Sequence, residues 1–174
     1  MRILGIDPGL NTTGYGVIEG EGFKISLIEA GFIRTNPKDK IGTRLEKIHQ
    51  ALNKIIAKFK PGVLVLEKLY AHWRHPTTAY VLGHARGTIC LSAKENNVEM
   101  VEYAATRIKK AVVGQGHASK AQVQRMIQNI LSLNTLPEPA DIADALALAV
   151  GHSYMCRNQK LVTSSQKPET RIKK

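Results

Sequence analysis

The segment RILGIDPGLNTTGYGVIEGEGFKISLIEAGFI, residues 2–33, decides the fold of this chain. Its first six residues are rich in Ile and Leu and end at Asp7, where a Pro-Gly pair stops a buried strand. Residues 14–19 and 23–33 are β-branched or alternating segments joined by a turn that contains glycine, and they predict two further strands. The chain therefore opens with an antiparallel meander of three strands, and Asp7 lies at the end of the first.

The remainder of the chain alternates helices with strands. Apolar residues recur every three or four positions over residues 41–59, which predicts an amphipathic helix that packs on the sheet. The apolar run at residues 63–67 predicts a strand covered on both faces. Because a helical crossover leads to it, we expect it to lie parallel to an earlier strand, with Glu67 at its carboxyl end. Helices are also predicted over residues 76–96 and 104–113, around residues 123–131 and from about residue 138 onwards, with one more strand over residues 98–103. The predicted fold class is α/β, with a five-stranded mixed sheet made of the antiparallel meander plus two parallel strands and flanked by helices.

Length and composition predict one folded domain. The 174 residues are 43% apolar and 22% charged, which suits a single hydrophobic core that we expect to occupy residues 1–156. Residues 157–174 lack apolar periodicity and are predicted to form a basic, disordered tail. No apolar run is long enough to span a membrane, no signal peptide is visible, and two cysteines are too few for a disulfide framework. We therefore expect a cytoplasmic protein with no membrane span.

A strong excess of positive charge narrows the class of partner. Lys and Arg number 25 against 14 Asp and Glu, and the resulting formal net charge of +11 is typical of proteins that bind nucleic acid. On charge alone, an anionic membrane surface or an acidic protein partner remains open.

Four acidic residues are predicted to converge at one edge of the sheet. Asp7 and Glu67 end two strands, whereas Asp141 and Asp144 lie one turn apart at the start of the last helix. Taken alone, the pair on the helix is explained more simply by capping and by the helix dipole. Ligands bind beyond the carboxyl ends of parallel strands, however, and four carboxylates gathered there repel one another unless cations lie between them.

The chemistry of these four side chains indicates divalent metal ions. Ligands that are all oxygen favour Mg²⁺ or Mn²⁺ over zinc. Two such ions can activate a water molecule and stabilise the leaving oxygen of a phosphodiester. Because a basic surface around the cluster offsets the charge of the phosphates, these residues predict a nuclease.

Five blocks of sequence carry a family resemblance. They are DPG at residues 7–9 with GYG at 14–16, LE at 66–67, LGHARG at 82–87, VVGQGHASKAQV at 112–123 and DIADALA at 141–147. In this order and spacing, the blocks resemble the RuvC family of Holliday-junction resolvases. The resemblance extends over nearly the whole chain, to about residue 152.

The resemblance implies an RNase H-like fold and a Mg²⁺-dependent crossover junction endodeoxyribonuclease that acts in homologous recombination and DNA repair. It also implies a homodimer that binds four-way junction DNA and works alongside the RuvA-RuvB branch-migration complex. Two Mg²⁺ ions are implied in each active site, and Mn²⁺ can substitute for them. Matched position by position, the family's four catalytic and metal-binding acids fall on Asp7, Glu67, Asp141 and Asp144.

DNA contacts are implied by the same resemblance. Lys109 and Lys120 fall on the family's basic residues near the scissile phosphate. Tyr70 stands where the family commonly has a Phe that stacks on bases, and the ring is kept. We expect further DNA contacts from Arg86, Lys110 and Gly116. The chain departs from the family in a loop at residues 71–75 that is one residue longer than usual.

Several alternatives stay open at this point. An actin-like ATPase or a sugar kinase also begins with a strand followed by DxG, although such proteins need a second domain and a second nucleotide motif. A non-catalytic relative and an RNase H-like nuclease that acts on RNA are further possibilities. The small residues Ala79, Gly83 and Gly87 form a stripe on the predicted helix 76–96, which serves either packing on the sheet or a dimer contact.

Overall fold

The computed structural model describes residues 1–21, 23–68 and 76–165. In chain order the elements are β1 (Arg2–Asp7), β2 (Thr12–Glu21), β3 (Lys24–Arg34), α1 (Ile41–Phe59), β4 (Val63–Glu67), α2 (Pro76–Glu95), β5 (Glu99–Tyr103), α3 (Ala105–Val113), α4 (Lys120–Ile130) and α5 (Ala140–Ser165).

The five strands form one mixed sheet in the order β3-β2-β1-β4-β5. The pairs β3-β2 and β2-β1 are antiparallel, whereas β1-β4 and β4-β5 are parallel. This arrangement confirms the predicted α/β fold class, with an antiparallel meander continued by two parallel strands. The crossover through α1 returns the chain to the side of β1, so that β1 and β4 have their carboxyl ends at the same edge of the sheet.

Helices cover both faces of the sheet because alternate residues of the central strands point to opposite sides. Leu4 and Leu64 face the side covered by α1 and α2, where they join one buried apolar cluster. Ile3 and Val65 face the opposite side, where α3, α4 and α5 complete a second cluster. The apolar runs in β1 and β4 follow from this double coverage.

Helix α5 lies unusually close to the first two strands because glycines face it. A Cβ atom on Gly5 would lie 2.0 Å from the carbonyl oxygen of Ala145, and one on Gly16 would lie 2.4 Å from a methyl carbon of Leu146. Gly5 and Gly16 are directly paired in the sheet. The missing side chains therefore let the backbone of α5 rest on the strands themselves.

The end of α5 differs from the sequence-based prediction. A disordered tail was expected from residue 157, but α5 continues to Ser165. Residues 157–165 contain neither proline nor glycine, so nothing in this stretch breaks a helix that has already formed. The rest of the predicted tail, residues 166–174, lies outside the described residues. Within the described part of the chain, no helix combines the length and the hydropathy needed to cross a bilayer.

Candidate active site

Two of the predicted acids lie side by side at the edge where β1 and β4 end. Ile6 pairs with Leu66, so Asp7 and Glu67 come next on the two neighbouring parallel strands. Both side chains are half-buried. They line a cleft of about 360 Å³ on the face of the sheet that carries α5. The prediction that these two strand ends deliver acids to one place is therefore confirmed in its geometry.

Helix α5 brings the other two acids to the same edge. Gly14 pairs with Asp7, and a Cβ on Gly14 would lie 2.1 Å from the carbonyl oxygen of Asp141. The first turn of α5 thus lies directly over the strand next to Asp7. Asp144 lines the cleft together with Asp7 and Glu67. Asp141 instead lines an adjoining hollow of about 340 Å³, beside the loop that follows β1.

The acids raise one another's proton affinity. Burial, which has the largest effect, and then the negative charges of Asp144, Asp141 and Glu67 together raise the pKa of Asp7 from 3.8 to about 7. The pKa of Glu67 is also raised, first by burial and then by Asp144. A cation in the cleft relieves both effects, because it replaces lost hydration and screens the repulsion.

Two lysines supply positive charge from the helices that face the acids. Lys109 on α3 and Lys120 on α4 both line the cleft. Ser119 and Gln122 form a reciprocal capping box that fixes where α4 begins, and so where Lys120 stands. The ammonium of Lys120 donates a hydrogen bond of 3.1 Å to Oδ2 of Asp144, and this bond raises the pKa of Lys120.

The donor chemistry of the cleft fits a hard divalent cation. Its acidic side chains offer oxygen ligands alone, and their mutual repulsion is the kind that cations offset. Among the described residues, no three Asp, Glu, His or Cys side chains stand close enough together to form a complete metal cage. Mg²⁺ does not require such a cage, because it keeps several waters and binds through one or two carboxylates plus substrate phosphates.

The remaining predicted DNA contacts have different surroundings. Arg86 on α2 points to the end of β4, where its guanidinium bonds to the carbonyl oxygen of Glu67 and to Glu102. Lys110 is exposed on α3, on the turn next to Lys109. Gly116 packs in the loop before α4, where a Cβ would lie 3.3 Å from the carbonyl oxygen of Thr106. Tyr70 lies outside the described residues.

Glu102 was not predicted to belong to this region. It pairs with Leu66 across β4 and β5, one residue before Glu67, and it forms an ion pair with Arg86. The parallel pairing of β4 with β5 is the signal that could have indicated it, since this register brings the end of β5 next to the end of β4.

The small-residue stripe of α2 faces away from the sheet. Cβ atoms added at Gly83 and Gly87 would meet no described atom within 4 Å. These two glycines, with Tyr80 and Leu91, line an open hollow of about 560 Å³. Tyr80 is 70% exposed and Leu91 is 53% exposed. The stripe therefore does not serve packing of α2 on its own sheet.

Comparison with known protein families gives one extended match. The sequence model of the family described as "Crossover junction endodeoxyribonuclease RuvC" matches residues 3–152. A crossover junction endodeoxyribonuclease RuvC of Rhodopirellula baltica is 45% identical over 156 residues, which cover 90% of this chain and 88% of the relative. The protein of the same description from Natranaerobius thermophilus is 40% identical over 157 residues, covering 90% of this chain and 97% of that one.

Solved structures are similar over the same extent. The structure of T. thermophilus RuvC in complex with Holliday junction substrate superposes with a TM-score of 0.86 at 32% sequence identity, covering 91% of this chain and 96% of that chain. The yeast mitochondrial Holliday junction resolvase has a TM-score of 0.67 at 13% identity, over 94% of this chain and 83% of its own. At that identity the second likeness shows the fold alone.

Proposed function

The chain belongs to the RuvC family of crossover junction endodeoxyribonucleases, and from this membership we propose that it cuts four-way DNA junctions as a structure-selective endonuclease. The fold is RNase H-like. The reaction is hydrolysis of phosphodiester bonds, by which a Holliday junction is resolved in homologous recombination and DNA repair. A single observation carries the proposal. Asp7, Glu67 and Asp144 share one cleft with Lys109 and Lys120 at the edge of the sheet.

The acids act as the ligands of divalent metal ions. Nucleases of this family depend on divalent metals, and we propose two Mg²⁺ ions in each site, with Mn²⁺ able to substitute. When bound, these ions supply an activated water and charge stabilisation for the leaving oxygen. Asp7 and Glu67 stand on neighbouring strand ends and offer their carboxylates from a rigid base. Asp141 and Asp144 are proposed to complete the ligand set from the start of α5, where Asp141 stands in the first turn.

The two lysines of the cleft offset the negative charge of the DNA phosphates. Lys120 is 77% exposed although its ammonium bonds to Asp144, so it can reach a phosphate at the mouth of the cleft. Lys109 lines the same cleft from α3. Ammonium groups near a reacting phosphate stabilise the negative charge that develops in the transition state. We propose Lys110, Gly116 and Tyr70 as further DNA contacts. We also propose that the RuvA-RuvB complex is a partner of this protein in the cell.

A homodimer supplies the second active site. Resolution of a junction needs two strands to be cut, and one active site serves one strand at a time. We propose that the outward glycine stripe of α2, with the exposed Tyr80 and Leu91 beside it, is the contact between the two copies.

Three substrates test the proposed function. We expect the protein, in the presence of Mg²⁺, to cut a synthetic four-way junction and to leave a linear duplex of the same sequence and an RNA hairpin intact. Asp7→Asn, Glu67→Gln and Asp141→Asn should each abolish cleavage, because they remove a metal ligand with almost no change in volume. Asp144→Asn should retain more activity.

Binding of the junction in EDTA serves as the control for these variants. Each should bind with an affinity near that of the wild type, since cutting and binding depend on different groups. Cleavage of the RNA hairpin in preference to the junction would assign the protein to the RNA nucleases. Wild-type rates in any of the first three variants would contradict the metal-ligand assignment.

A further inference from the structure

Arg86 ties the end of β4 to the end of β5. Its side chain is only 13% exposed although it belongs to a surface helix. Nη1 donates a hydrogen bond of 2.7 Å to the carbonyl oxygen of Glu67. Nη2 donates a hydrogen bond to Oε1 of Glu102, so the two terminal nitrogens of the guanidinium bond to residues on two neighbouring strands.

The carbonyl and the N–H group of the peptide bond after Glu67 are both fixed by hydrogen bonds. Its carbonyl oxygen accepts from Arg86, and its N–H group, which belongs to Lys68, donates a hydrogen bond of 2.8 Å to the carbonyl oxygen of Tyr103. Glu67 is the last residue of β4, so beyond it the strand no longer restrains the backbone. These two bonds fix the backbone at the residue whose carboxylate enters the cleft.

We propose that Arg86 is a positioning residue, which holds the Glu67 carboxylate in its metal-binding orientation by fixing the Glu67 backbone and linking it to Glu102. This inference rests on the proposed function, because that function makes Glu67 a metal ligand. Groups that orient a ligand from behind typically change metal affinity or activity by about 10–100-fold when they are removed.

The surroundings of Arg86 favour this role over a contact with DNA. Both arms of its guanidinium already have oxygen acceptors, and a phosphate has to displace Glu102 to reach it. Lys120, by contrast, leaves 77% of its side chain exposed. Arg86 therefore acts on the reaction through Glu67.

Arg2 provides a matched control. It also donates one bond to a backbone carbonyl, that of Phe59, at 2.9 Å, and another to a carboxylate, that of Glu19, at 3.2 Å. Arg2 begins β1, so it lies at the opposite end of the strand from Asp7. Loss of Arg2 removes the same kinds of bond without disturbing the cleft.

The decisive measurement is the affinity of the DNA-free protein for Mn²⁺. Binding is monitored through the electron paramagnetic resonance signal of the Mn²⁺ that remains free. We expect Arg86→Met to weaken Mn²⁺ binding by about 10–100-fold and Glu102→Gln to weaken it less. The Mn²⁺ affinity of Arg86→Lys should lie between those of Arg86→Met and Glu102→Gln, because one ammonium group cannot bond to both the Glu67 carbonyl oxygen and the Glu102 carboxylate. Arg2→Met should bind Mn²⁺ as the wild type does, and all four variants should bind the junction in EDTA within about twofold of the wild type.

Cleavage rates against Mg²⁺ concentration give the second readout. Arg86→Met should need more Mg²⁺ to reach its maximal rate, whereas a loss of DNA contact leaves that requirement unchanged. If Arg86→Met does not fold, the Mn²⁺ affinities of Arg86→Lys and Glu102→Gln test the proposal instead. Wild-type Mn²⁺ affinity in both variants, or weaker junction binding with intact Mn²⁺ affinity, would overturn it.

The two proposals can fail separately. A wild-type protein that cuts no junction would refute the proposed function, whereas the Mn²⁺ affinities of the variants would still test the positioning role of Arg86.

Discussion

The protonation of Asp7 makes the stability of the metal-free protein depend on pH. Its pKa is about 7 in the folded protein, against an ordinary value of 3.8. A carboxyl group whose pKa is raised on folding binds its proton more tightly in the folded state. The stability that this proton provides is complete below the ordinary pKa and is lost as the pH rises through the folded value.

Asp7→Asn should therefore stabilise the metal-free protein at alkaline pH. Between about pH 4 and pH 8 in EDTA, we expect the Tm of the wild type to fall more steeply than that of the variant. At pH 8 the variant should melt at least a few degrees higher, since each kcal/mol corresponds to about 2–4 °C in a protein of this size. Asp39→Asn, at an exposed position in the loop before α1, is the matched control and should follow the wild type. Parallel pH curves for Asp7→Asn and the wild type would contradict the prediction.

Lys109 and Lys120 should affect cleavage more than folding. Both line the cleft, so replacing either with Ala removes positive charge from beside the reacting phosphate. We expect the single-turnover cleavage rate to fall by about a hundredfold while the Tm changes little. If the side chain also contacts a phosphate, the slope of log K against log salt should drop by about 0.9. Lys94→Ala, at an exposed position in the last turn of α2, should change neither quantity. Unchanged rates and slopes would place both lysines on the solvated surface.

At the scale of elements, the site depends on how closely α5 approaches the sheet. Gly5→Ala places a Cβ atom 2.0 Å from the carbonyl oxygen of Ala145, and neither backbone can yield without moving α5. We expect a loss of roughly 1–3 kcal/mol in the free energy of unfolding, with slower cleavage because Asp141 and Asp144 move away from Asp7. Gly62→Ala is the control, because its nearest contact is a flexible Met1 side chain at 3.5 Å. A Gly5→Ala protein with wild-type Tm and rate would show that this close approach is not needed.

The strands and helices could be predicted because each has a local pattern. Alternation and apolar runs indicate β1 to β5, and the spacing of three and four over α1 indicates a helix that ends at Phe59. The convergence of Asp7 and Glu67 was also predictable, since parallel neighbours end at one edge. These inferences need only the order of the elements and the hand of the crossover.

Contacts between distant segments could not be predicted in the same way. The role of Gly5 becomes visible only when α5, about 140 residues further along, docks on β1. The sequence predicts a DNA contact for Arg86, whereas its partner Glu102 is identified only by the register of β4 with β5. The extension of α5 to Ser165 could not be predicted, because residues 157–165 show no apolar periodicity.

At the scale of the whole molecule, the outward face of α2 decides whether the protein can make two coordinated cuts. A four-way junction presents two equivalent phosphodiesters, and a two-fold dimer can present one active site to each. Gly83 and Gly87 leave a smooth surface on α2 on which the same helix of a second copy can pack closely. Tyr80 and Leu91 add apolar area on either side of this surface, as expected of an interface between like chains.

Gly87→Leu should convert the dimer to a monomer. The added side chain projects into the hollow formed by Gly83 and its neighbours, so it does not disturb the core of its own chain but prevents close contact with a second α2. Gly42→Leu is the matched control, because Gly42 on α1 also has open space around it and does not line the hollow on α2. Sedimentation should show a dimer for the wild type and for Gly42→Leu, and a monomer for Gly87→Leu. On a supercoiled cruciform, the dimers should linearise the plasmid in one binding event, whereas the monomer should leave a nicked circle. A Gly87→Leu protein that stays dimeric would exclude α2 as the contact, and a monomeric wild type that still linearises the cruciform would exclude the dimer itself.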